Sequence, residues 1–429
     1  MVRLKPAIAA APSTRIERVI SPMGIEAWLV EDYTVPIVSM DFAFVGGGAL
    51  DPAAKAGLST MMSSLYDEGA GALTAQAFQE KLEETAIELD FSSGKDRVEG
   101  SLRTLVGNAD TAFEMLALAI NQPRFDEDAV QRVRAQIGAS LRRAESDPDS
   151  VVWKAFQARA YPGHPYGRSD KGTLATIAAI TREDLVAAHR ARLSRGTLKI
   201  AAVGAISAAD LGRAVDRVFG PLPASVMHDK VADTVLAGLG ERVISTLDVP
   251  QSTLVFGRPG LARKDADFMA AYVVNHILGG GSFTSRLWTE VREKRGLAYS
   301  VWSQMATARH AAAFYAGTAT GNERAAEALA IIQAEIDKMA DKGPTKGELG
   351  KALQYLIGSY ALRFDTSRKI AGHLVEIQVE DLGIDYIALR NERLAGVTLA
   401  DTRRAAGRLL GDGRMLLSVA GQPQAISAT

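Results

Sequence analysis

The sequence reads ITREDLVAAHRARLSRGTLKIAAVG from Ile180 to Gly204 and VTLADTRRAAGRLLGDGRMLLSVAG from Val397 to Gly421. The two stretches align without a gap. Each begins with a T-x-x-D pattern, which is typical of the first turn of a helix. Each then reaches a glycine and continues as an apolar run that predicts a strand. The match predicts an internal duplication, and the alternative is a chance similarity of two helix–strand units.

The fronts of the two halves share a second pattern. IVSMDFAFVGG (37–47) and QSTLVFGRPG (251–260) each read as a strand that enters a glycine turn and leads to a helix. Long helical patterns lie between the front and the back of each half. We therefore predict an α/β (α+β) fold of two homologous domains, residues 1–222 and 239–429. The Pro/Gly-rich and polar residues 223–238 predict the linker.

Composition excludes several classes of function. The 429 residues carry a net charge of −1 with acids and bases interspersed, which argues against a nucleic-acid surface. The absence of cysteine excludes disulfides, thiolate metal ligands and a cysteine nucleophile. No apolar run approaches the ~20 residues of a membrane-spanning helix. The Ala/Pro-rich residues 1–19 predict a flexible leader or the mature end of an exported protein.

The familiar motifs of metal and nucleophile sites are missing from the sequence. No two histidines have the spacing of metal ligands on a helix, and neither H-E-x-x-H nor H-x-x-E-H occurs. A zinc site would need ligands dispersed along the chain. There is also no G-x-S-x-G elbow around a nucleophilic serine. The histidines are His164, His189, His228, His276, His310 and His373.

A glycine-rich stretch, LGGGSFTSRL, spans residues 278–287. It lacks the G-K-[ST] ending of a phosphate-binding loop. Gly279, Gly280, Gly281 and Ser282 are therefore either the end of a helix with its turn or a mobile loop beside a binding cleft. The sequence leaves both interpretations open.

The stretch TEVREKRGLAYSV (289–301) follows directly. A charged helix end stops at Gly296 and gives way to an apolar strand, and such a reversal can bring Arg292 and Tyr299 together. A guanidinium and a phenol both donate hydrogen bonds that polarise a carbonyl or hold an oxyanion. The alternative is a surface arginine and a half-buried tyrosine.

These residues carry a family resemblance. REKRGLAYSV after LGGGSFTSRL, together with YPGHPYGR (161–168), resembles the pitrilysin family of metallopeptidases, which includes insulin-degrading enzyme and the mitochondrial processing peptidase. The resemblance covers nearly the whole chain. It implies repeated domains, each a mainly antiparallel sheet flanked by long helices, that face each other as a clam-shell. Active members carry H-x-x-E-H on a helix similar to GLAHFLEHMLFKGT, in which two histidines bind zinc and the glutamate activates water.

The stretch GLSTMMSSLYDEGAG (57–71) is similar to that helix in its glycines and apolar positions. Thr60 then stands at the first histidine, Ser63 at the glutamate and Ser64 at the second histidine. The helix 130–144, where the family's further zinc-binding glutamate would fall, contains no glutamate. Since hydroxyls replace neither imidazole as ligand nor carboxylate as base, we expect no zinc on this chain and no peptidase activity from it alone.

For the later half of the chain, the resemblance implies that the residues that contact the substrate are present. In active members an arginine and a tyrosine seven residues apart contact the substrate near the scissile bond, and Arg292 and Tyr299 match that pair. Gly279, Gly280, Gly281 and Ser282 become candidate substrate-binding residues. Some bacterial members divide zinc and the arginine–tyrosine pair between two chains.

We therefore expect the non-zinc subunit of a heterodimeric zinc metallopeptidase, with zinc and the activating glutamate on a homologous partner and peptides as substrates. The alternatives are a structural or peptide-binding subunit of a larger complex, and an active metalloenzyme with dispersed ligands. We expect the periplasm as location, with the cytoplasm as the alternative.

Overall fold

The computed structural model describes residues 15–227 and 229–429. The predicted leader lies largely outside these residues, as does His228 in the predicted linker. The strands are β1 (Glu17–Ile20), β2 (Glu26–Glu31), β3 (Ile37–Val45), β4 (Gly69–Ala70), β5 (Leu73–Thr74), β6 (Glu88–Ser93), β7 (Arg97–Leu105), β8 (Leu198–Gly204), β9 (Arg242–Thr246), β10 (Gln251–Pro259), β11 (Ala298–Thr307), β12 (Ala312–Gly321) and β13 (Leu416–Gly421).

Helices and short helical turns connect the strands. Two segments are π-helical, His276–Gly280 and Trp288–Glu293. The α-helices are α1 (Leu58–Ser63), α2 (Ala75–Glu84), α3 (Ala109–Asn121), α4 (Glu127–Ala144), α5 (Pro148–Ala160), α6 (Leu174–Ala178), α7 (Arg182–Arg192), α8 (Ala208–Phe219), α9 (Phe268–Asn275), α10 (Ala325–Lys342), α11 (Lys346–Gly358), α12 (Ser367–Val379), α13 (Tyr386–Ala395) and α14 (Leu399–Leu410).

The strand order repeats between the two halves. Across the described residues, the first sheet has the order β1-β2-β8-β3-β7-β6 and the second β11-β12-β10-β13-β9. β8 runs parallel to β2 and antiparallel to β3, and β13 runs parallel to β9 and antiparallel to β10. If β1 is set aside, each strand of the first sheet therefore has a counterpart at the same position in the second sheet. One such pair is β8 and β13, the strands of the two repeated stretches.

The repeated T-x-x-D patterns form capping boxes at the starts of α7 and α14. Thr181 and Asp184 bond each other's backbone N–H groups, and Thr398 and Asp401 do the same. Each box satisfies two of the donors that a helix start leaves free. The predicted α/β fold of two homologous halves is confirmed.

Each sheet has a main core on one face, built from its own half. Phe42 and Phe44 of β3 pack with helices α3 and α8, and Phe256 and Phe314 pack with α10 and α14. These side chains are at most 2% exposed. Alternation along β3 and β10 sends one set of apolar residues to this core and the other set to the opposite face.

The opposite face of each sheet is covered by a helix of the other half. α12 packs on β3 and β8 of the first sheet, and α5 packs on β10 and β13 of the second. Gln378 Nε2 donates a hydrogen bond to Ile200 O at 2.9 Å, and Ser418 Oγ donates one to Val152 O at 3.0 Å. The second sheet admits α5 closely at Gly257, since a Cβ there would lie 2.3 Å from Phe156.

This exchange bears on how the chain divides. α8, the last helix of the first half, ends at Phe219, and β9, the first strand of the second half, begins at Arg242. Because α5 and α12 each pack on the sheet of the other half, a cut between Phe219 and Arg242 does not separate two independently packed units. The boundaries at residues 222 and 239 stay a prediction. None of the helices in the described parts of the chain is long and apolar enough to cross a membrane.

The exchange predicts that the halves unfold together. Leu374 of α12 is fully buried against the first sheet, so Leu374→Ala should lower the free energy of unfolding by about 2–5 kcal/mol. Urea denaturation followed by tryptophan fluorescence and by circular dichroism should show one coincident transition. Leu362→Ala is the control, because Leu362 is 73% exposed. If two separate transitions are seen and only one of them responds to Leu374→Ala, the exchanged helices do not make the two halves unfold together.

Candidate functional site

The three positions that the sequence predicts to stand at the zinc motif lie at α1, Thr60 and Ser63 within the helix and Ser64 directly after it. The helix starts after Gly57, whose φ of +96° favours glycine. Thr60 Oγ1 donates a hydrogen bond to Asp170 O at 2.8 Å. Ser63 and Ser64 both donate to Thr60 O, at 3.0 and 2.9 Å. All three hydroxyls are thus engaged by main-chain carbonyls of this chain.

The described side chains around α1 do not form a group of metal ligands. The carboxylates of α4 are confined to its first turn, at Glu127 and Asp128. His189 packs near the end of α1, where its Nδ1 lies 3.1 Å from Tyr66 Oη, and burial lowers its pKa to about 4. In the parts of the chain that the structure describes, no three His, Cys, Asp or Glu side chains are grouped so that they would hold a metal ion.

A buried ion pair holds the start of α1, and sequence reasoning missed it. Asp51 accepts hydrogen bonds from Gly57 N at 3.0 Å and Ser59 Oγ at 2.7 Å. Arg192 lies 2.8 Å from the same carboxylate, and the two side chains are only 6% and 1% exposed. The hydroxyl of Ser59 therefore belongs to this network. The helix keeps its position by contacts that involve no metal.

Arg292 and Tyr299 are brought together as the sequence predicted. Arg292 lies on the π-helical segment 288–293, the chain reverses at Gly296 with φ of +57°, and Tyr299 follows on β11. The guanidinium carbon of Arg292 is 4.3 Å from the ring centroid of Tyr299 and 4.1 Å from that of Trp288. The cation is held between two aromatic faces.

Trp288 is a site residue that sequence reasoning missed. It stands one helical turn before Arg292, and Phe283 packs against its ring at 4.6 Å. The available signal was the spacing of four residues, which places two helical side chains on one face. Aromatic rings on both sides restrict the arginine side chain and leave the edges of its guanidinium open.

The donors of this pair are free toward solvent. Within residues 15–227 and 229–429, no group accepts a hydrogen bond from Arg292 and no carboxylate pairs with it. The neighbouring Glu290 is bound by Lys294 and Arg295 instead. Tyr299 is 82% exposed and stands at an irregularity in the β11–β12 pairing, on the edge strand of the second sheet.

The glycine-rich segment is packed tightly against β11. A Cβ on Gly279 would lie 2.6 Å from Ser303 Oγ and 2.7 Å from Ser303 N. On Gly280 it would lie 2.7 Å from Asn275 Nδ2, and on Gly281 2.7 Å from His276 O. Close packing therefore accounts for the three glycines without a ligand. The role of these glycines and of the exposed Ser282 in substrate binding stays a prediction.

The stretch YPGHPYGR forms a structural junction. His164 Nδ1 accepts a hydrogen bond from Tyr166 N at 3.1 Å, and its Nε2 lies 2.9 Å from Ala232 O. Tyr166 Oη donates to Asp96 at 2.6 Å and accepts from His310 N at 3.0 Å. The motif thus joins turns of both sheets to the segment between the halves.

Comparisons with known proteins show the family of this chain. Residues 28–173 match the sequence model described as Insulinase (Peptidase family M16), and residues 179–356 match the one described as Peptidase M16 inactive domain. Together the two stretches cover most of the chain. The chain belongs to the M16 peptidase family. That Thr60, Ser63 and Ser64 stand at the zinc-motif positions of this family stays a prediction.

Curated relatives are similar to this chain over most of its length. The non-peptidase homolog YmxG of Helicobacter pylori is 27% identical over 340 residues, which are 78% of each chain. An uncharacterized zinc protease of Streptomyces coelicolor, SCO5738, is 29% identical over 359 residues, 78% of this chain and 76% of the relative. One of these relatives is thus named a zinc protease and the other a non-peptidase homolog.

Two solved structures share nearly the whole fold of this chain. A peptidase M16 inactive domain from Pseudomonas fluorescens has a TM-score of 0.89 at 25% identity, over 97% of this chain and 99% of that one. A protease from Helicobacter pylori has a TM-score of 0.85 at 19% identity, over 95% and 99%. The second likeness concerns the fold alone.

The packing of the glycine segment gives a direct prediction. Gly279→Ala should lower the free energy of unfolding by about 1–3 kcal/mol, because the added methyl group meets the main chain at Ser303. Gly350→Ala on α11 is the matched control, since a Cβ there meets nothing within 4 Å, and it should stabilise the helix by up to about 1 kcal/mol. Chemical denaturation measures both. Equal effects of the two substitutions would refute the packing role.

Proposed function

We propose that this chain is the non-zinc subunit of a heterodimeric zinc metallopeptidase and contributes Arg292 and Tyr299 to a shared active site. The observation that carries the proposal is the contrast between the two halves of one M16 chain. The hydroxyls at the predicted zinc-motif positions donate to main-chain carbonyls, Thr60 to Asp170 O and both serines to Thr60 O. The Arg292–Tyr299 pair is held by aromatic contacts with its donors free.

The chemistry of the pair suits peptide hydrolysis. The Tyr299 hydroxyl donates a hydrogen bond to the substrate carbonyl oxygen as negative charge develops there. Arg292 donates to neighbouring main-chain carbonyls and orients the peptide. Trp288 limits the guanidinium to one plane and reduces the entropy lost on binding. The zinc of the partner subunit would supply the activated water.

The position of Tyr299 also suits an extended substrate. β11 is an edge strand of the second sheet, so its outer side is open to another strand wherever no element covers it. Peptides commonly bind proteins by adding a strand to such an edge. Under the proposal, the substrate is an unfolded peptide segment that lies in extended form beside Tyr299.

A structural or peptide-binding subunit without a catalytic role is the second candidate function. The close packing of Gly279, Gly280 and Gly281 favours it, because these glycines are explained by the fold alone. In that case Arg292 and Tyr299 are inherited features of the fold. We further propose the periplasm as location, with which a chain without cysteine is compatible.

The hydroxyl of Tyr299 provides the sharpest test of the catalytic role. In the complex with the zinc subunit, Tyr299→Phe should lower turnover by ~10²–10³, the usual cost of losing one such donor. Assembly and zinc content should remain those of the wild type. Tyr355→Phe serves as control, since Tyr355 is another exposed tyrosine of this half. Unchanged turnover in Tyr299→Phe would refute the role.

Mixing separates the two candidate functions. The chain is combined with the homologous zinc subunit from the same source, and a quenched fluorescent peptide is cleaved in the presence or absence of a chelator. We expect chelator-sensitive cleavage only in the mixture. Cleavage by the zinc subunit alone, at the rate of the mixture, would favour the structural role. Cleavage by this chain alone would favour dispersed metal ligands.

A further inference from the structure

A crevice of 500 Å³ lies between the edge strand β11 and the helices α12 and α13. One wall belongs to the second sheet and to α9, and the other to α12, α13 and the 3₁₀ segment Ser359–Phe364. The lining residues that matter below are Asn275, Ser303, Tyr360, Arg363, His373 and Arg390. The crevice is thus formed where the exchanged helix α12 passes the second sheet.

Arg390 is a buried cation in this crevice. It is 5% exposed, and its guanidinium carbon lies 3.9 Å from the ring centroid of Tyr360. One of its nitrogens, Nη1, donates hydrogen bonds to Leu356 O at 3.2 Å and Asn391 Oδ1 at 3.1 Å. These two bonds use one of three guanidinium nitrogens. No carboxylate of the described residues forms an ion pair with it.

The acids of the crevice have other partners. Glu380 accepts a hydrogen bond from Arg263 Nε at 2.7 Å, and its second oxygen accepts one from Thr307 at 3.1 Å. Glu376 lies 3.8 Å from His373 Nδ1. The His373 Nε2 in turn lies 3.0 Å from Tyr360 Oη.

A second arginine lines the mouth. Arg363 is exposed, lines the crevice and forms no ion pair with any carboxylate in the described parts of the chain. The crevice therefore contains two guanidinium groups without counter-charge, one of them buried. Burying an uncompensated charge costs free energy, and stacking on Tyr360 offsets only part of that cost. An anion in the crevice would compensate the rest.

We propose that this crevice binds the free C-terminal carboxylate of a peptide, with Arg390 and Arg363 as its cationic donors. A planar guanidinium pairs with a carboxylate through two parallel hydrogen bonds, which gives geometric specificity. The side-chain amide of Asn275 is a further polar group, on the opposite wall of the crevice. The choice of a peptide rather than a free small acid rests on the proposed function.

The strand β11 connects the crevice with Tyr299. Ser303, Gln304, Met305 and Thr307 line the crevice, and Tyr299 stands on the same strand. At about 3.3 Å per residue, the four positions from Tyr299 to Ser303 span about 13 Å. An extended peptide that contacts Tyr299 therefore reaches the crevice after about four residues. The inferred substrate class is peptides with a free C-terminus a few residues beyond the bond at Tyr299.

Calorimetric titration of the isolated full chain tests the inference. The probe is an N-acetylated hexapeptide of alanine and leucine with a free C-terminal carboxylate, and the comparison is the same peptide as its C-terminal amide. We expect the amide to bind at least about tenfold more weakly, because it lacks the charge-assisted bonds. Equal affinities, no binding of the acid, or displacement of the acid by an equal concentration of inorganic phosphate would overturn the inference.

Variants locate the binding to the crevice. Arg390→Gln should weaken binding of the acid about tenfold and leave that of the amide unchanged. Arg363→Gln should weaken it severalfold, and because Arg363 is exposed, this variant keeps the test valid if Arg390→Gln fails to fold. Arg393→Gln is the matched control, an exposed arginine of the same helix outside the lining. Wild-type affinity in both the Arg390 and Arg363 variants would refute the site.

This titration is independent of the proposed function. It needs neither the zinc subunit nor peptide cleavage, so preference for the free acid stands or falls by itself. If the acid and the amide bind equally well and turnover still falls in Tyr299→Phe, carboxylate binding in the crevice is refuted and the catalytic role stands. Preference for the acid with turnover insensitive to Tyr299→Phe would refute the catalytic role alone.

Discussion

The exchange of α5 and α12 is the contact on which the rest of this structure depends. Each sheet has one face on its own core and the other against a helix of the opposite half. Neither half therefore buries both faces of its sheet alone. The exchange also fixes the position of β11 relative to α12, and thereby the crevice between them.

The two halves share a topology and differ in what they offer to a substrate. In the first half, the buried pair Asp51–Arg192 holds the start of α1, and the hydroxyls at the predicted zinc-motif positions donate to main-chain carbonyls of this half. The second half holds Arg292 between Trp288 and Tyr299 and leaves the donors free. This difference between the two sites is the basis of the proposal that the chain contributes half of a shared active site.

Local patterns in the sequence were sufficient for part of this description. The capping boxes at Thr181 and Thr398 involve residues three apart, so their pattern is visible in any short window. Arg292 and Tyr299 meet through one helix–turn–strand reversal, which is also local. The three hydroxyls at the predicted zinc-motif positions are also visible in the sequence, because the stretch 57–71 is similar to the motif helix of the family. The sequence does not show which groups accept their hydrogen bonds.

The parts that sequence reasoning missed depend on distant contacts. The patterns of α5 and α12 predict helices but not which sheet they cover. Asp51 and Arg192 look like ordinary surface charges until the fold buries both. Arg390 likewise stands in a helix of mixed charge, and only the folded structure shows that it is buried against Tyr360 without a carboxylate partner among the described residues.

Co-purification with metal analysis tests the central claim most directly. The chain, tagged at its C-terminus, is isolated from its native cells, its bound partners are identified, and the zinc content of each separated chain is measured by mass spectrometry. The account predicts a homologous partner that carries H-x-x-E-H and stoichiometric zinc, with no zinc on this chain. Stoichiometric zinc on this chain, or its isolation without any zinc-carrying homologue, would contradict the account.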